Sequence, residues 1–438
     1  MKPILVKNAE LMTFGQQSGV IHGGSVLIRN GVIESIGAVP VPLDPDTEVI
    51  DAGGRVATPG LVNAHMHLYS TFACGIAAEA SRNFGEILSN LWWRLDRALT
   101  LEDVELSAMV PAIRCLKAGV TTIVDHHASY GATAGSLGVV AEAVQGLGLR
   151  ACLAYEVSDR NGPEKTETAI AENMNFIDAL TMMGSPDLAA MFGLHASFTL
   201  SDETLKRCAD AAHDTGFHIH CAEDKADLED AIARGATGVV DRLESFGILG
   251  PRSIAAHCIH VSPGEMSTLA RHDTMVVTNP QSNMNNAVGT ASVDELLRAG
   301  CTVGMGTDGM TADILEEARA LFMSHRQRTG DPTVMFLEAA DMVTKTNPGI
   351  ASRIFGRPIG VLEEGAAGDV VLWDYVPPTP LEKDNVAGHL LFGLPSTRPL
   401  TVVSRGRVAV RDFKVLDIDE EVVADESRSL ARALWDRW

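Results

Sequence analysis

The sequence predicts an α/β protein: a (β/α)8 TIM-like barrel carrying a small β-sandwich built from both chain ends. Three observations predict it. Eight short apolar runs alternate with helix-like stretches between residues 58 and 355. Such alternation implies a parallel sheet, and eight units imply a closed barrel. The runs are continuous, as expected of strands buried on both faces. The two ends of the chain share a different texture, short strands punctuated by glycine pairs and Asn-Gly.

The first 57 residues contain Ile4-Leu-Val, Ser25-Val-Leu-Ile, Val32-Ile-Glu-Ser-Ile and Thr47-Glu-Val-Ile. Gly23-Gly24, Asn30-Gly31 and Gly53-Gly54 read as tight turns between them. The barrel runs begin with Gly60-Leu-Val-Asn-Ala, Thr121-Thr-Ile-Val-Asp, Cys152-Leu-Ala-Tyr and Met191-Phe-Gly-Leu-His. Phe217-His-Ile-His, Ser253-Ile-Ala-Ala-His, Thr274-Met-Val-Val-Thr and Cys301-Thr-Val-Gly-Met complete the eight. Residues 101–118, 133–146, 201–214 and 313–328 are helix-like. Strand texture returns at Asp369-Val-Val-Leu-Trp, Thr401-Val-Val-Ser and Arg407-Val-Ala-Val, and 419–438 reads as a terminal helix. Neither end holds enough strands to stand alone. The expected division is therefore 1–57 plus 356–438 as a composite sandwich, with 58–355 as the barrel. A doubly wound sheet is the weaker alternative, because no Gly-rich phosphate fingerprint follows the first barrel run.

An apolar content of 46% over 438 residues, with 21% charged, excludes a disordered or fibrous chain. The net charge, 35 − 57 = −22, disfavours polyanions and anionic membranes, so neither nucleic acid nor membrane is an expected partner. Seven scattered cysteines without a CxxC pair read as reduced thiols. No run approaches the roughly 18 apolar residues of a membrane span, and the first residues lack a signal core. A soluble cytoplasmic protein is expected.

Catalytic groups of a barrel project from the C-terminal ends of its strands. The first run ends in His65-Met66-His67, and residues two apart on an extended segment face the same way, so both imidazoles can converge on one metal. The fifth ends in His218-Ile219-His220 and leads to Glu223; His220 is placed as a third imidazole ligand. His218 points to the same side but deeper, where a hydrogen-bonded structural role is expected. The sixth run ends in His257. The eighth ends in Gly306-Thr307-Asp308-Gly309, where glycines permit close approach of a carboxylate. Three His and one Asp suit Zn(II) or Fe(II), with a position left for water.

Thr58-Pro-Gly-Leu-Val-Asn-Ala-His-Met-His resembles the strand-one signature of the amidohydrolase superfamily. His220-x-x-Glu223, His257 and Thr307-Asp308-Gly309 resemble its mononuclear deaminase and chlorohydrolase branch. Asn90-Leu-Trp-Trp-Arg-Leu-Asp-Arg-Ala-Leu, Val124-Asp-His-His-Ala-Ser and Ser282-Asn-Met-Asn-Asn are similar to SsnA-type aminohydrolases, which are associated with purine and selenium-dependent hydroxylase gene sets. The resemblance runs essentially end to end and implies that His65, His67, His220 and Asp308 bind one divalent transition metal, zinc first and iron second. It also implies a homo-oligomer.

A metal lowers the pKa of its bound water towards neutrality. In that setting Asp308 can take the proton of the water, His257 can polarise the reacting carbon's substituent, and Glu223 can protonate a ring nitrogen so that ammonia leaves. Binuclear relatives in the superfamily carry a carbamylated Lys on strand four, whereas Ala190-Met-Phe-Gly-Leu-His-Ala-Ser has none. One metal is therefore expected. The resulting reading is a metal-dependent aminohydrolase acting on a planar, purine-like N-heterocycle in purine metabolism. The alternative is a hydrolase that opens a cyclic amide or amidine. A barrel kept only for binding or assembly is disfavoured, because every presumed ligand is present together with Glu223 and His257.

Substrate contacts are expected from His195, Trp92, Asp125, His127 and Asn283, with Trp93, His126 and Asn279 as further candidates. Asp125, His126 and His127 have a second reading as braces for the metal ligands. Cys221 and Cys258 read as packing residues. Arg160 reads as a solvated loop charge, and no phosphate cradle follows any run, so a base or nucleoside is expected rather than a nucleotide.

Overall fold

The structure, a computed structural model, describes residues 1–16, 18–38 and 43–438. All eight apolar runs form parallel strands: Leu61–Met66, Val120–His127, Arg150–Tyr155, Phe192–Ala196, Phe217–Cys221, Ile254–His257, Met275–Thr278 and Val303–Met305. They lie in two arcs. Strands one to three pair in sequence and end on the short Leu188–Ala190, while strands four to eight pair in sequence. Single parallel bridges span the two seams, Val157 to Leu194 and Met66 to Asp308. The interior between the arcs is filled by Ala64, Val124, Cys152, Ala154, Met191, Ile254, Met275, Val277 and Ile350. The first four barrel strands are buried at every position, which is why they read as unbroken apolar runs.

The expected helices are present at Leu101–Lys117, Ser136–Gly146, Asp202–Ala212 and Ile314–Thr329. The first begins with a reciprocal cap: Thr100 accepts from the Asp103 N–H, and the Asp103 carboxylate accepts from the Thr100 N–H. The terminal helix, Glu420–Arg437, is tied to the loops following strand one. Trp435 Nε1 donates to the Phe72 carbonyl at 2.9 Å, and Arg437 Nε donates to the Ala98 carbonyl at 2.9 Å.

The two ends of the chain meet in one nine-stranded sheet. Val56–Pro59 pairs antiparallel with Val370–Trp373, joining the N-terminal strands to Pro399–Ser404, Arg407–Arg411 and Lys414–Val415. Its core draws Val6, Leu11, Val26 and Ile28 from one end and Val370, Leu372 and Val403 from the other. Asn30 and Gly31 both have positive φ, 52° and 77°, as a two-residue hairpin turn between Val20–Arg29 and Val32–Gly37 requires. Gly23-Gly24 differs from expectation: the pair lies inside the strand Val20–Arg29, at a register shift against Ile4–Met12 rather than at a turn.

Buried Arg150 ties the end sheet to the barrel floor. It ion-pairs with Asp369 and, at 3.1 Å, with Asp187, which also receives Arg357 at 2.7 Å and Arg405 at 2.9 Å. Among the described residues, no helix is long and apolar enough to cross a membrane.

Candidate active site

His65 and His67 stand at the end of strand one, and each has one ring nitrogen committed to the protein. His65 Nδ1 lies 2.8 Å from His218 Nε2, and His67 Nδ1 donates to the His126 carbonyl at 2.5 Å. On strand five, His220 Nδ1 donates to the His195 carbonyl at 2.9 Å. Fixing Nδ1 aims Nε2 of each ring inward, the arrangement by which outer partners orient metal-binding histidines. His67 Nε2 is 3.1 Å from His220 Nε2 and 3.2 Å from Asp308 Oδ1. His65 Nε2 is buried without a hydrogen-bond partner.

Asp308 is held against strand one by the backbone. The N–H groups of Thr307 and Asp308 both donate to the His65 carbonyl, at 2.9 and 3.1 Å. Gly306 permits this approach, because a Cβ there would lie 2.4 Å from the same carbonyl oxygen. His257, Asp308, Ala222 and Cys258 all have φ between 48° and 71°. Left-handed backbone at non-glycine residues is uncommon, and here it clusters at the strand ends that carry His257 and Asp308.

His257 sits between two carboxylates. Its Nε2 is 3.6 Å from Glu223 Oε2 and 3.6 Å from Asp308 Oδ2, and its Nδ1 donates to Asn283 Oδ1 at 2.8 Å. Burial lowers the pKa of His65 and His220 well below the usual imidazole value, keeping them neutral as metal ligation requires. Burial pushes Glu223 up to about 7, against the opposing pull of His257. Asp308 is held far below the ordinary carboxylate range: burial works against this, and the His67 ring beside it prevails.

Two sets of donors could hold an ion, His65 with His67 and His220, and His65 with His257 and Asp308. A third, His126 with Glu156 and His220, shares His220 with the first. In each set the donor atoms lie within 4.8 Å of one another. The sets overlap at one centre, and the unpartnered His65 Nε2 and His257 Nε2 point to an occupant.

The family model for the amidohydrolase family matches residues 56–409. The chain belongs to the amidohydrolase family. Over 440 residues it is 31% identical to a 5'-deoxyadenosine deaminase of Methanosarcina mazei, covering 99% of both chains. It is 33% identical over 442 residues to a 5-methylthioadenosine/S-adenosylhomocysteine deaminase of Desulforudis audaxviator, covering 98% of this chain and 99% of the other. The fold matches an adenosine deaminase from Xanthomonas campestris with bound zinc, at 20% identity and a TM-score of 0.86 over 98% of each chain. It also matches an atrazine chlorohydrolase from Arthrobacter aurescens complexed with zinc, at 22% identity and a TM-score of 0.83, over 98% of this chain and 100% of that one.

The mouth of this amidohydrolase opens into a cleft with ≈ 760 Å³ of empty space. His67, His220, Glu223 and Asp308 line it together with Trp92, Trp93 and His195. Three expected substrate contacts lie elsewhere. Asp125 is fully buried and accepts from the Leu68 N–H at 2.7 Å, bracing the loop after strand one. His127 is buried against Ser129 Oγ at 2.9 Å, and Asn283 orients His257 from behind. None of the three lines the cleft: Asp125 and His127 lie within strand two, Val120–His127, and Asn283 in the helix Pro280–Asn285, each held by partners inside the protein. Asn279 is likewise fully buried away from the cleft. Cys221 and Cys258 are packing residues, both wholly buried.

Arg160 differs from the reading of a solvated charge. Its side chain is 8% exposed and ion-pairs with Asp96 and, at 3.3 Å, with Glu156. Asp96 lies 64 residues away in sequence, so no local pattern announces the pair. Glu156, which lines the cleft, is a site residue that sequence reasoning missed. Its signal was positional: it directly follows the third apolar run, at the kind of strand end that carries His195 and His257.

Proposed function

We propose that this amidohydrolase is a metal-dependent aminohydrolase that deaminates a planar, purine-like N-heterocycle, with the barrel of 58–355 as its catalytic domain. The observation that carries the reading is the grouping of Glu223, His257 and Asp308 beside the three inward-facing imidazoles. The relatives named as deaminases of adenosine analogues support it. His65, His67, His220 and Asp308 would hold one ion, since the donor sets share members and strand four carries no Lys. Zinc is the expected metal, as in the structural neighbours. When bound, the ion supplies the Lewis acidity that brings a water's pKa close to neutrality.

The chain's own residues carry the remaining steps. Asp308 accepts the proton of the attacking water. Glu223, with its pKa raised to about 7, holds a proton at neutral pH and transfers it to the ring nitrogen next to the attacked carbon. With Nδ1 directed to Asn283, His257 presents Nε2 between the two carboxylates. The ring carbon becomes tetrahedral, the exocyclic C–N bond breaks, and ammonia leaves with a proton returned from the carboxylate. Trp92, Trp93 and His195 line the space available to the ring.

We place the protein in the cytoplasm and in purine metabolism, as a homo-oligomer. The unpaired state of all seven cysteines supports a reducing compartment. The test is ammonia release from purines, pterins and pyrimidines by zinc-loaded protein, with ultraviolet absorbance followed in parallel. Ammonia with the ring chromophore retained is expected; loss of ring absorbance without ammonia would identify a ring-opening hydrolase instead.

A further inference from the structure

Glu156 belongs to the third donor set but not to the four residues proposed to hold the ion, has no part in the proton transfers, and faces the cleft. Its peptide is pinned on both sides: the N–H donates to the His127 carbonyl at 2.9 Å, and the carbonyl accepts from the Tyr130 hydroxyl at 2.8 Å. Oε1 receives Arg160 Nη2 at 3.3 Å. The Arg160 guanidinium is in turn held by Asp96 and lies 4.5 Å over the Tyr130 ring. Oε2 accepts no hydrogen bond among the described residues, and His126 Nδ1 stands 3.8 Å from it.

The other acidic residues of the cleft away from Glu223 and Asp308 are differently placed. Asp224 caps a helix by accepting from the Ala226 N–H, and Asp227 accepts from the N–H groups of Phe198 and Ala222. Both oxygens of Asp227 are used by the backbone, and Asp224, with one oxygen used, is the less buried of the two half-free carboxylates. The other is Glu156, on a side chain only 3% exposed. A Glu156 oxygen lies within 4.8 Å of ring nitrogens of His126 and His220, close to where a substrate ring must sit. The free oxygen opens on the cleft, and a bound ring that displaces water there would have to supply its donor.

We propose that Glu156 is a specificity residue that accepts a hydrogen bond from an N–H of the bound heterocycle, on an edge other than the one protonated by Glu223. The substrate is then a ring with a donor beyond its leaving amino group. A 9-substituted adenine has none, because its other ring positions are acceptors, whereas a guanine-type ring that loses its 2-amino group still carries the N1–H donor. The proposal rests on the aminohydrolase reading and narrows its substrate class. It also separates this chain from relatives named for adenosine analogues. A site built to hydrogen-bond an N–H rejects a ring lacking it, because the buried acceptor is left unpaired.

The test is binding of 9-methylguanine and 9-methyladenine to the zinc-loaded full chain by calorimetry, in wild type, Glu156→Leu and Glu156→Gln. Wild type is expected to prefer the guanine ring by roughly tenfold or more. Glu156→Leu should lose that preference by weakening only the guanine ring. Glu156→Gln, whose amide can also donate, should narrow the gap by improving the adenine ring, a change that a merely structural role does not produce. Equal binding of the two rings by wild type, equal weakening of both in Glu156→Leu, or loss of zinc in either variant would overturn the proposal. Ammonia release is followed separately. If the rings bind with the expected preference and no ammonia forms, Glu156 keeps its role and the aminohydrolase reading fails.

Discussion

Replacing Glu223 with Gln separates catalysis, metal binding and stability in one variant. Glu223 Oε2 lies 3.6 Å from His257 Nε2, and Oε1 receives Asn286 Nδ2 at 3.5 Å. Glutamine preserves the shape and removes the transferable proton. Turnover is expected to fall by on the order of 10²–10⁴, or about 3–5 kcal/mol of barrier. Zinc content should stay unchanged, because Glu223 belongs to none of the three donor sets. Stability should move the other way. Burial raises this carboxyl from its ordinary 4.5 to about 7 in the folded chain. Between those values the folded state binds more protons than the unfolded state, so stability falls as pH rises through the window. The full shift corresponds to about 3 kcal/mol. The metal-free Gln variant should therefore match wild type near pH 4 and exceed it by up to that amount near pH 8, measured by urea unfolding. In the wild-type holoenzyme, kcat should decline as pH rises through the Glu223 titration. Loss of zinc, near-normal turnover, or a Gln variant no more stable near pH 8 would refute the assigned role.

Asn283→Ala removes the acceptor that orients His257, and turnover should fall roughly 10–100-fold with zinc retained, as measured by steady-state kinetics and metal analysis. Arg150→Met leaves Asp369 buried without its cation and Asp187 short of one of its three, so denaturant unfolding should show a loss of about 3–5 kcal/mol. Gly306→Ala forces a Cβ to within 2.4 Å of the His65 carbonyl oxygen, and zinc affinity should drop sharply in a competition titration with a chelator.

Much of this fold is legible because a barrel strand is buried on both faces. Met275–Thr278, for example, can be read as a strand from four residues alone. The candidate donor cluster was readable for a related reason: the two-residue spacing of His65 and His67 puts both rings on one side of an extended segment, and they share a donor set with His220. What the sequence leaves open depends on packing between distant segments. Asp125 follows the apolar core of its run, as a substrate-reading residue would, but the strand continues to His127 and the backbone of Leu68 claims the carboxylate. Asn283 lies near the mouth, but His257 draws it behind the site. Arg160 has the composition of a solvated loop and becomes buried because Asp96 and Glu156 converge on it. Gly23-Gly24 has turn chemistry, yet neighbouring strands absorb it as an irregularity in the ladder.

The central claim, one metal ion serving a ring deamination, is tested most directly by titrating chelator-stripped protein with zinc while measuring ammonia from a purine-type substrate. The account predicts that ammonia release rises linearly and saturates at about one equivalent per chain, with the ring chromophore intact. Saturation only at two equivalents, or ring loss without ammonia, would contradict it.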